Sequence, residues 1–269
     1  MTPIIMQGKP VAQQLKEELK IKFSGKEIAL ATLLIGDDAA SKVYQKRLIK
    51  LAESLGIKAP AVNLAGDISQ KEAEEALEQL NTDATITGIL PFMPLPRPLN
   101  GKTFCAKLTP QKDVDCLSPV NEGSFFSGNS SLAPCTPKAC LAILKYYGIS
   151  LAGKNAVVLG RSNVVGKPVA MLLLQEDATV TICHSKTKNL PDILRQADII
   201  IAAIGKAGFV TADMVKEGAV LVDVGINAVE DKIVGDISPE ACTKASAYTP
   251  VPGGVGVVSN VMVMAALRI

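Results

Sequence analysis

The chain has 269 residues, of which 48% are apolar and 20% charged, and its net charge is +2 at pH 7. This composition is typical of a compact globular protein with a full apolar core. The balanced charge, without a basic block, argues against nucleic acid or an anionic membrane as the main partner. No apolar stretch reaches about 18 residues, so we expect neither a signal peptide nor a membrane span.

The cysteine and histidine content excludes several kinds of site. The six cysteines include no C-x-x-C pair, and His184 is the only histidine. We therefore expect free thiols in a reducing cytoplasm and no metal site. A hydrolase built on a histidine and a serine or cysteine nucleophile is equally unexpected.

The first half of the chain alternates strand-like and helix-like segments. Apolar runs predict strands at 27–36, 59–64 and 86–92, and the segments between them predict helices at 41–56 and 69–80. This βαβαβ order predicts a parallel sheet. The proline-rich segment 91–100 cannot continue a central strand, so we expect a surface loop there.

A second α/β pattern begins near residue 136. Thr136 is expected to cap, and Pro137 to open, a helix that ends at Gly148. Strand-like runs follow at 156–160, 178–183, 198–205 and 218–227, with a helix from about Lys167, and an apolar helix follows 249–256. The pattern predicts a second parallel unit, so the fold class is α/β with two domains.

A candidate nucleotide site lies in VVLGRSNVVGKP, residues 157–168. Gly160 ends a predicted strand, and Gly166 precedes the next helix. Glycines at these points let the backbone approach a pyrophosphate at a helix N-terminus. The spacing differs from G-x-G-x-x-G, so an ordinary strand-to-helix turn is the alternative interpretation.

The end of the following strand bears on the choice of cofactor. It reads CHSKT, with His184 and Ser185 where an NAD site usually has a carboxylate, and Arg161 lies in the preceding turn. A missing carboxylate beside an arginine favours the 2′-phosphate of NADP over NAD. The alternative is that His184 is a plain polar loop residue.

Eight blocks match one family in order along the chain. They are GDDAASKVY (36–44), TPQKDVD (109–115), PCTPK (134–138), GRSNVVGKP (160–168), CHSKT (183–187), VDVGIN (222–227), VGDI (234–237) and TPVPGGVG (249–256). Together they resemble the methylenetetrahydrofolate dehydrogenase/methenyltetrahydrofolate cyclohydrolase family. The resemblance implies a folate-binding catalytic domain at 1–137 plus 255–269, a Rossmann-type NADP domain at 138–254, and an active cleft between them. It also implies tetrahydrofolate derivatives as substrates and a homodimer.

The resemblance assigns roles to individual residues. Tyr44 matches the tyrosine that lies along the folate rings, and Asp115 matches the carboxylate that grips the pterin donors. From the residues alone, Asp113 and Asp115 are also interpretable as loop caps. The remaining substrate-binding residues are Ser41, Pro252, Gly253 and Gly254. The cofactor-binding residues are Gly160, Arg161, Ser162, Gly166, His184, Ser185, Gly225 and Ile226.

Two positions depart from the family pattern in a coordinated way. Leu48 stands where the family has a lysine, and Phe92 stands where it has the glutamine that hydrogen-bonds that lysine. At about 100° per residue, Leu48 falls within roughly 20° of Ser41, whereas Lys46 and Lys50 point away, so neither replaces the missing ammonium. We expect Leu48 and Phe92 to pack on each other, which avoids an unpaired buried polar group. Smaller departures are Cys116 and Ala139, which replace glycines.

The functional expectation follows from this difference. We predict NADP-dependent oxidation of 5,10-methylenetetrahydrofolate to 5,10-methenyltetrahydrofolate, with the cyclohydrolase step weak or absent, because that step needs proton transfers assigned to the lysine. A separate cyclohydrolase would then act in the same cell. One alternative is a fully bifunctional enzyme giving 10-formyltetrahydrofolate. The others are a catalytically dead folate- or NADP-binding protein and a dehydrogenase of small hydroxy acids.

Overall fold

The structure, a computed structural model, describes residues 2–129, 132–230 and 232–269. Its strands are β1 (Ile4–Ile5), β2 (Leu30–Ile35), β3 (Ala61–Leu64), β4 (Gly88–Pro91), β5 (Asn155–Leu159), β6 (Thr179–Cys183), β7 (Ile199–Ala202), β8 (Val220–Asp223), β9 (Asn227–Val229), β10 (Lys232–Val234) and β11 (Ala247–Tyr248). Its α-helices are α1 (Gly8–Phe23), α2 (Ala39–Ser54), α3 (Gln70–Thr82), α4 (Gly101–Ala106), α5 (Pro119–Phe126), α6 (Cys135–Tyr146), α7 (Gly166–Gln175), α8 (Leu190–Arg195), α9 (Pro239–Lys244) and α10 (Val255–Ala265). A short 3₁₀ helix covers Ala212–Met214.

The chain divides into two compact units. The three-stranded unit comprises Gln14–Cys135 and Asn260–Ile269, and the six-stranded unit comprises Met1–Gln13 and Thr136–Ser259. The segment 1–13 therefore groups with the second unit, whereas the sequence analysis assigns it to the first domain. The reason is that β1 adds to the edge of the larger sheet by parallel pairing with β11.

The three-stranded unit is built on a parallel sheet with strand order β3-β2-β4. Every residue of β2 is buried, as expected for the central strand of a covered sheet. Helix α3 starts with a capping box between Ser69 and Glu72 and buries Ala73 and Leu77 in the core of this unit. Because β3 and β4 lie on opposite sides of β2, the carboxyl ends of β2 and β4 border the crevice where open α/β sheets bind ligands.

The sheet of the six-stranded unit is parallel throughout, with strand order β1-β11-β8-β7-β5-β6. The chain passes from β5 to β6 on one side and then returns to β7 on the other side of β5. The topological switch point therefore lies at the carboxyl ends of β5 and β7, as in dinucleotide-binding folds. Strands β7 and β8 are buried along their full length, which explains their continuous apolar sequences.

The structure confirms the two α/β patterns and corrects several details. The predicted strand 218–227 ends at Asp223, and Asn227 begins the antiparallel hairpin of β9 and β10. Thr136 does not cap α6, because the helix begins one residue earlier; its hydroxyl instead lies 3.0 Å from that of Ser259. The sequence analysis missed the two-residue strands β1 and β11, which are too short for a periodic signal.

Candidate functional site

The N-terminal half of α2 presents the predicted substrate-binding residues of the three-stranded unit. Asp38 caps the helix, since its carboxylate accepts hydrogen bonds from the Ser41 backbone N–H at 2.8 Å and from its hydroxyl at 2.7 Å. Tyr44 lies one turn further along and is partly buried. The cap therefore fixes Ser41 on the same face of the helix as Tyr44.

Phe92 is the aromatic partner of Tyr44. It directly follows β4, and its ring centroid lies 5.4 Å from that of Tyr44 at an interplanar angle of 70°. This is an edge-to-face pair, worth about 0.5–1.5 kcal/mol beyond the area that it buries. The side chain at position 92 therefore contacts Tyr44 through an aromatic ring and has no hydrogen-bonding group.

Leu48 lies one turn beyond Tyr44 and is completely buried, with 0% of its surface exposed. The charged residues expected to point away, Lys46 and Lys50, are both exposed, and so is Arg47 between them. No ammonium group of α2 therefore shares the buried position of Leu48.

A buried hydrogen bond fixes α2 on the sheet beside Leu48. The Gln45 side chain, 4% exposed, donates to the hydroxyl of Thr32 in β2 at 3.1 Å. Sequence reasoning did not identify Gln45, because a lone amide in a helix gives no signal until its partner is known.

Asp113 and Asp115 have different environments although they are two residues apart. Asp113 is buried and accepts hydrogen bonds from the backbone N–H groups of Asp115, Leu117 and Ser118 and from the Asn121 amide. This is the loop-cap role that the sequence left open for both residues. The Asp115 carboxylate instead accepts from the Cys135 backbone N–H at 2.7 Å and remains partly accessible.

The electrostatics of Asp115 are those of a buried carboxylate with few partners. Burial raises the pKa of Asp115 to about 6; hydrogen bonds from Cys135 oppose this, and the charge of Asp113 adds to it. The pKa of the Tyr44 phenol is also raised, first by burial and then by the nearby Asp115 and Cys135. Tyr44, Phe92 and Asp115 thus form one partly buried cluster with a carboxylate that titrates near neutrality.

Cys116 has a backbone conformation that favours glycine, the residue that the family resemblance leads us to expect there. Its φ is 55°, in the left-handed region that L-residues other than Asn and Asp rarely adopt, and its side chain is only 2% exposed. The chain keeps this strained conformation at the residue directly after Asp115.

The predicted nucleotide turn has the close backbone contacts that require glycine. Gly160 has φ of 125°, and a Cβ added to it would lie 2.4 Å from the carbonyl oxygen of Ala203. A Cβ on Gly166 would lie 2.3 Å from the carbonyl oxygen of Gly160. The Ser162 hydroxyl accepts hydrogen bonds from Val165 and Gly166 at the start of α7. This turn at the switch point can bring backbone N–H groups to a pyrophosphate.

The loop after β6 provides donors and no carboxylate. Nδ1 of His184 accepts a hydrogen bond from the Lys186 backbone N–H at 3.1 Å, and the His184 backbone N–H donates to the Thr187 hydroxyl at 2.8 Å. Ser185 is exposed, as is Arg161 in the turn after β5. Because β5 and β6 are adjacent, these residues share one edge of the sheet and fit a 2′-phosphate.

The loop after β8 carries two predicted cofactor residues and two that sequence reasoning missed. Ile226 is 70% exposed although it is apolar. Gly225 packs against a carboxylate, since a Cβ there would lie 2.3 Å from an oxygen of Asp236. Asp223 and Asp236 are both buried beneath this loop. They lie inside the matched blocks VDVGIN and VGDI, but the blocks alone do not show that the two carboxylates meet.

The predicted substrate turn at residues 252–254 lies in the six-stranded unit. The peptide bond before Pro252 is cis, and Gly253 has φ of 111°. A Cβ on Gly254 would lie 2.6 Å from the Pro250 carbonyl oxygen, so only glycine fits there. The Gly253 carbonyl accepts a hydrogen bond from the Gly8 backbone N–H at 2.8 Å, which ties the turn to the start of α1.

The structure also bears on metal binding and on membrane insertion. Within 2–129, 132–230 and 232–269, no group of three or more His, Cys, Asp or Glu side chains is arranged to hold a metal ion. Over the same residues, no helix has both the length and the apolar character needed to cross a bilayer.

Comparison with known proteins identifies the family. Residues 6–115 match the family model for the tetrahydrofolate dehydrogenase/cyclohydrolase catalytic domain, and residues 134–268 match its NAD(P)-binding domain. A protein of Caldicellulosiruptor saccharolyticus named "Bifunctional protein FolD" is 48% identical over 265 residues, covering 94% of this chain and 95% of that protein.

Solved structures agree with the sequence matches. The bifunctional methylenetetrahydrofolate dehydrogenase/cyclohydrolase of Campylobacter jejuni is similar with a TM-score of 0.94 and 42% identity, covering 98% of this chain and 96% of that one. The Trypanosoma brucei enzyme, solved with NADP and an inhibitor, has a TM-score of 0.94 and 33% identity, with coverage of 99% and 96%. The chain belongs to the tetrahydrofolate dehydrogenase/cyclohydrolase family.

Proposed function

We propose that this protein catalyses the NADP-dependent oxidation of 5,10-methylenetetrahydrofolate to 5,10-methenyltetrahydrofolate in one-carbon metabolism. The observation that carries the proposal is the cluster of Tyr44, Phe92 and Asp115 at the carboxyl end of the smaller sheet. It combines flat aromatic surface with one accessible carboxylate, which suits a fused ring that has adjacent N–H donors.

On the folate side, we assign binding to residues of the three-stranded unit. Asp115 accepts hydrogen bonds from the pterin amide and amino group, and these are strongest when the carboxylate is ionised. Tyr44 lies along the rings, with Phe92 supporting it edge-on. Ser41, held by Asp38, completes this set. Pro252, Gly253 and Gly254 are proposed as the turn that borders the substrate.

On the cofactor side, the residues of the six-stranded unit fit NADP. Gly160, Ser162 and Gly166 form the turn for the pyrophosphate, and Arg161, His184 and Ser185 supply donors for the 2′-phosphate. Gly225 and Ile226 are assigned to the nicotinamide end. Support comes from the NAD(P)-binding family model and from the related T. brucei structure, which was solved with NADP.

The chemistry requires little from protein side chains beyond positioning. NADP, when bound, accepts the hydride from the one-carbon bridge of the folate. The residues named above hold the two reactants, and a correctly oriented pair accounts for a large part of the rate enhancement of such a step. The Asp115 carboxylate also carries negative charge into a site where the methenyl product is a cation.

Hydrolysis of the methenyl product at the same site is the second candidate activity. The names of the relatives favour this bifunctional alternative over a monofunctional dehydrogenase, since a protein 48% identical to this chain is named bifunctional. Leu48 and Phe92 argue in the opposite direction, because neither can transfer a proton. If this chain catalyses hydrolysis, we propose that Asp115 or water supplies the proton transfers and that 10-formyltetrahydrofolate is the product. If it does not, a separate cyclohydrolase must act on the product.

Assembly and compartment are part of the proposal. We propose a homodimer, supported by the family resemblance and by the exposed apolar side chains of Val229 and Ile233 in the β9–β10 hairpin. Light scattering should give a mass of about twice the 28.2 kDa of one chain. A cytoplasmic location is supported by six cysteines that form no disulfide.

Paired initial rates test the function. One assay follows the formation of NADPH from methylenetetrahydrofolate and NADP, and the other follows the decay of methenyl absorbance against a buffer blank. Hydride transfer is expected in the first assay. Its absence in a folded protein would leave only a binding protein and would contradict the proposal. Decay well above the blank would establish the bifunctional activity.

A matched pair of variants tests the site. Asp115→Asn should raise the KM for the folate about 10- to 100-fold, because hydrogen bonds to a charged group are lost. The control is Asp83→Asn, which changes an exposed carboxylate of the same unit that hydrogen-bonds only within its own turn, to Thr85. The control should keep the KM of the wild type. Equal KM values for the wild type and both variants would show that Asp115 does not bind the folate.

A further inference from the structure

Two buried carboxylates lie beneath the loops at the carboxyl ends of β7 and β8. Asp223 is 4% exposed and Asp236 is 0% exposed. Neither forms an ion pair among the described residues with a lysine or arginine; their partners are N–H groups. We call Asp223 and Asp236 the carboxylate clamp. Burying two carboxylates without a neighbouring cation costs free energy. Their place in the fold is therefore explained by the N–H groups that they bind.

Asp223 ends β8 and holds the chain on both sides of the hairpin. One oxygen accepts from the backbone N–H groups of Gly225 and Asp236, both at 2.9 Å. The other accepts from the N–H of Ile237 at 2.8 Å. The β9–β10 hairpin is therefore closed at its base by a single side chain.

Asp236 holds the loop after β7. Its Oδ2 accepts from the backbone N–H groups of Ile204 at 2.7 Å and Gly205 at 3.0 Å. Its Oδ1 accepts from the N–H of Lys206 at 2.8 Å and from the Asn227 amide at 2.9 Å. Three successive N–H groups converge on one carboxylate, and this arrangement fixes the path of the loop.

Two glycines show how closely the backbone packs on the clamp. A Cβ on Gly235 would lie 2.0 Å from an oxygen of Asp223, and one on Gly225 would lie 2.3 Å from an oxygen of Asp236. Real side chains do not approach so closely, so these positions require glycine if the clamp is to form.

The clamped loops border the switch point of the sheet. Ala203, directly before the held N–H groups, donates to the Leu159 carbonyl at 2.8 Å, and its own carbonyl packs on Gly160. After the neighbouring strand β8, exposed Ile226 lies between Gly225, whose backbone N–H donates to Asp223, and Asn227, whose side-chain amide donates to Asp236. The clamp thus binds both neighbours of this exposed apolar residue, one through its backbone N–H and the other through its side chain.

We propose that Asp236, supported by Asp223, is a positioning residue that fixes the 203–206 loop and Ile226 as the wall of the dinucleotide site. The proposal rests on the proposed binding of NADP by the six-stranded unit. Asp236 does not touch the cofactor in this role; it acts through the backbone N–H groups that it holds. An asparagine cannot replace it, because its NH₂ group would face two of the four donors that now converge on the carboxylate.

The test compares Asp236→Asn with Asp198→Asn. Asp198 precedes β7 at the amino end of the sheet, where it accepts from the Asn155 backbone N–H at 2.9 Å and from Lys216 at 2.5 Å. It is thus a hydrogen-bonded carboxylate of the same unit that lies at the opposite end of the strands from Asp236. The probes are NADP binding measured by displacement of the fluorescent reduced cofactor, hydrogen exchange of the apoprotein, and initial rates.

In Asp236→Asn, we expect the amides of Ile204, Gly205 and Lys206 to lose exchange protection without any ligand present. The Kd for NADP should rise about 10- to 100-fold, as for the loss of hydrogen bonds to a charged group. The KM for the folate should stay unchanged. Asp198→Asn should show none of these changes.

A milder variant keeps the test valid if Asp236→Asn does not fold. Asn227→Ala removes one donor from the clamp, so we expect the Kd for NADP to rise about threefold to tenfold. Unchanged NADP affinity in a folded variant that has lost loop protection would overturn the proposal, since the clamp would then be purely structural. A wild-type chain that does not bind NADP would refute the cofactor assignment itself, which separates the two failures.

Discussion

Replacing Leu48 by lysine tests the most unusual feature of the site. Leu48 is 0% exposed on the face of α2 that also buries Gln45 and Ala52. A lysine there places an ammonium where leucine now packs, and an uncompensated buried charge costs about 3–5 kcal/mol. We therefore expect Leu48→Lys to lower the free energy of unfolding by that amount at about pH 7, measured by urea denaturation.

The pH dependence identifies the cause of this loss. Burial lowers the pKa of a lysine in the folded state, so the neutral amine folds more easily than the ammonium. The cost should shrink as the pH rises toward the unfolded value of about 10.4, where the unfolded lysine also loses its proton. The control Leu48→Met keeps an apolar side chain of similar volume and should cost less than about 1.5 kcal/mol at every pH.

The Leu48→Lys substitution also tests the second candidate activity, hydrolysis of the methenyl product. If hydrolysis of the methenyl product needs an ammonium at position 48, Leu48→Lys combined with Phe92→Gln should raise its rate about 10²- to 10⁴-fold above that of the wild type. The methenyl decay assay measures this directly. A wild type that already hydrolyses well above the blank, with no gain in the double variant, would refute the reasoning. A stability loss below about 1 kcal/mol at neutral pH would refute the buried-charge argument.

Three further predictions follow from backbone strain and burial. Cys116→Gly should be about 1 kcal/mol more stable than Cys116→Ala in urea unfolding, because only glycine relieves the strain at φ of 55°; the reverse order would contradict this. Since the folded pKa of Asp115 is raised to about 6, its ionisation opposes folding, and wild-type stability falls as the pH rises from about 4 to about 6. Asp115→Asn should therefore gain about 2 kcal/mol relative to the wild type between these values, and a constant difference would refute the raised pKa. Gly160→Ala should lower the melting temperature more than Gly205→Ala, because its Cβ would meet a carbonyl oxygen at 2.4 Å whereas that of Gly205 meets open space.

The local chemistry of the chain determined most of the fold. Apolar runs of four to six residues separated by amphipathic helices are sufficient to predict both parallel sheets, because side-chain periodicity depends only on neighbours in sequence. The glycines at 160 and 166 and the absence of a carboxylate after β6 were also readable, since a turn imposes its constraint on the residues that form it.

Tertiary structure decided the roles of the carboxylates. Asp113 and Asp115 are two residues apart, yet Asp113 caps a loop and Asp115 stays partly accessible, because their partners come from different elements. Asp223 and Asp236 are 13 residues apart and are joined only when the β9–β10 hairpin between them forms, because the Asp236 backbone N–H then donates to the Asp223 carboxylate. The edge-to-face pairing of Phe92 with Tyr44 likewise joins α2 to the residue directly after β4, whereas the packing of Leu48 on Phe92 stays a prediction. Such contacts join residues that are distant in the chain, and their energy depends on burial that no local pattern reveals.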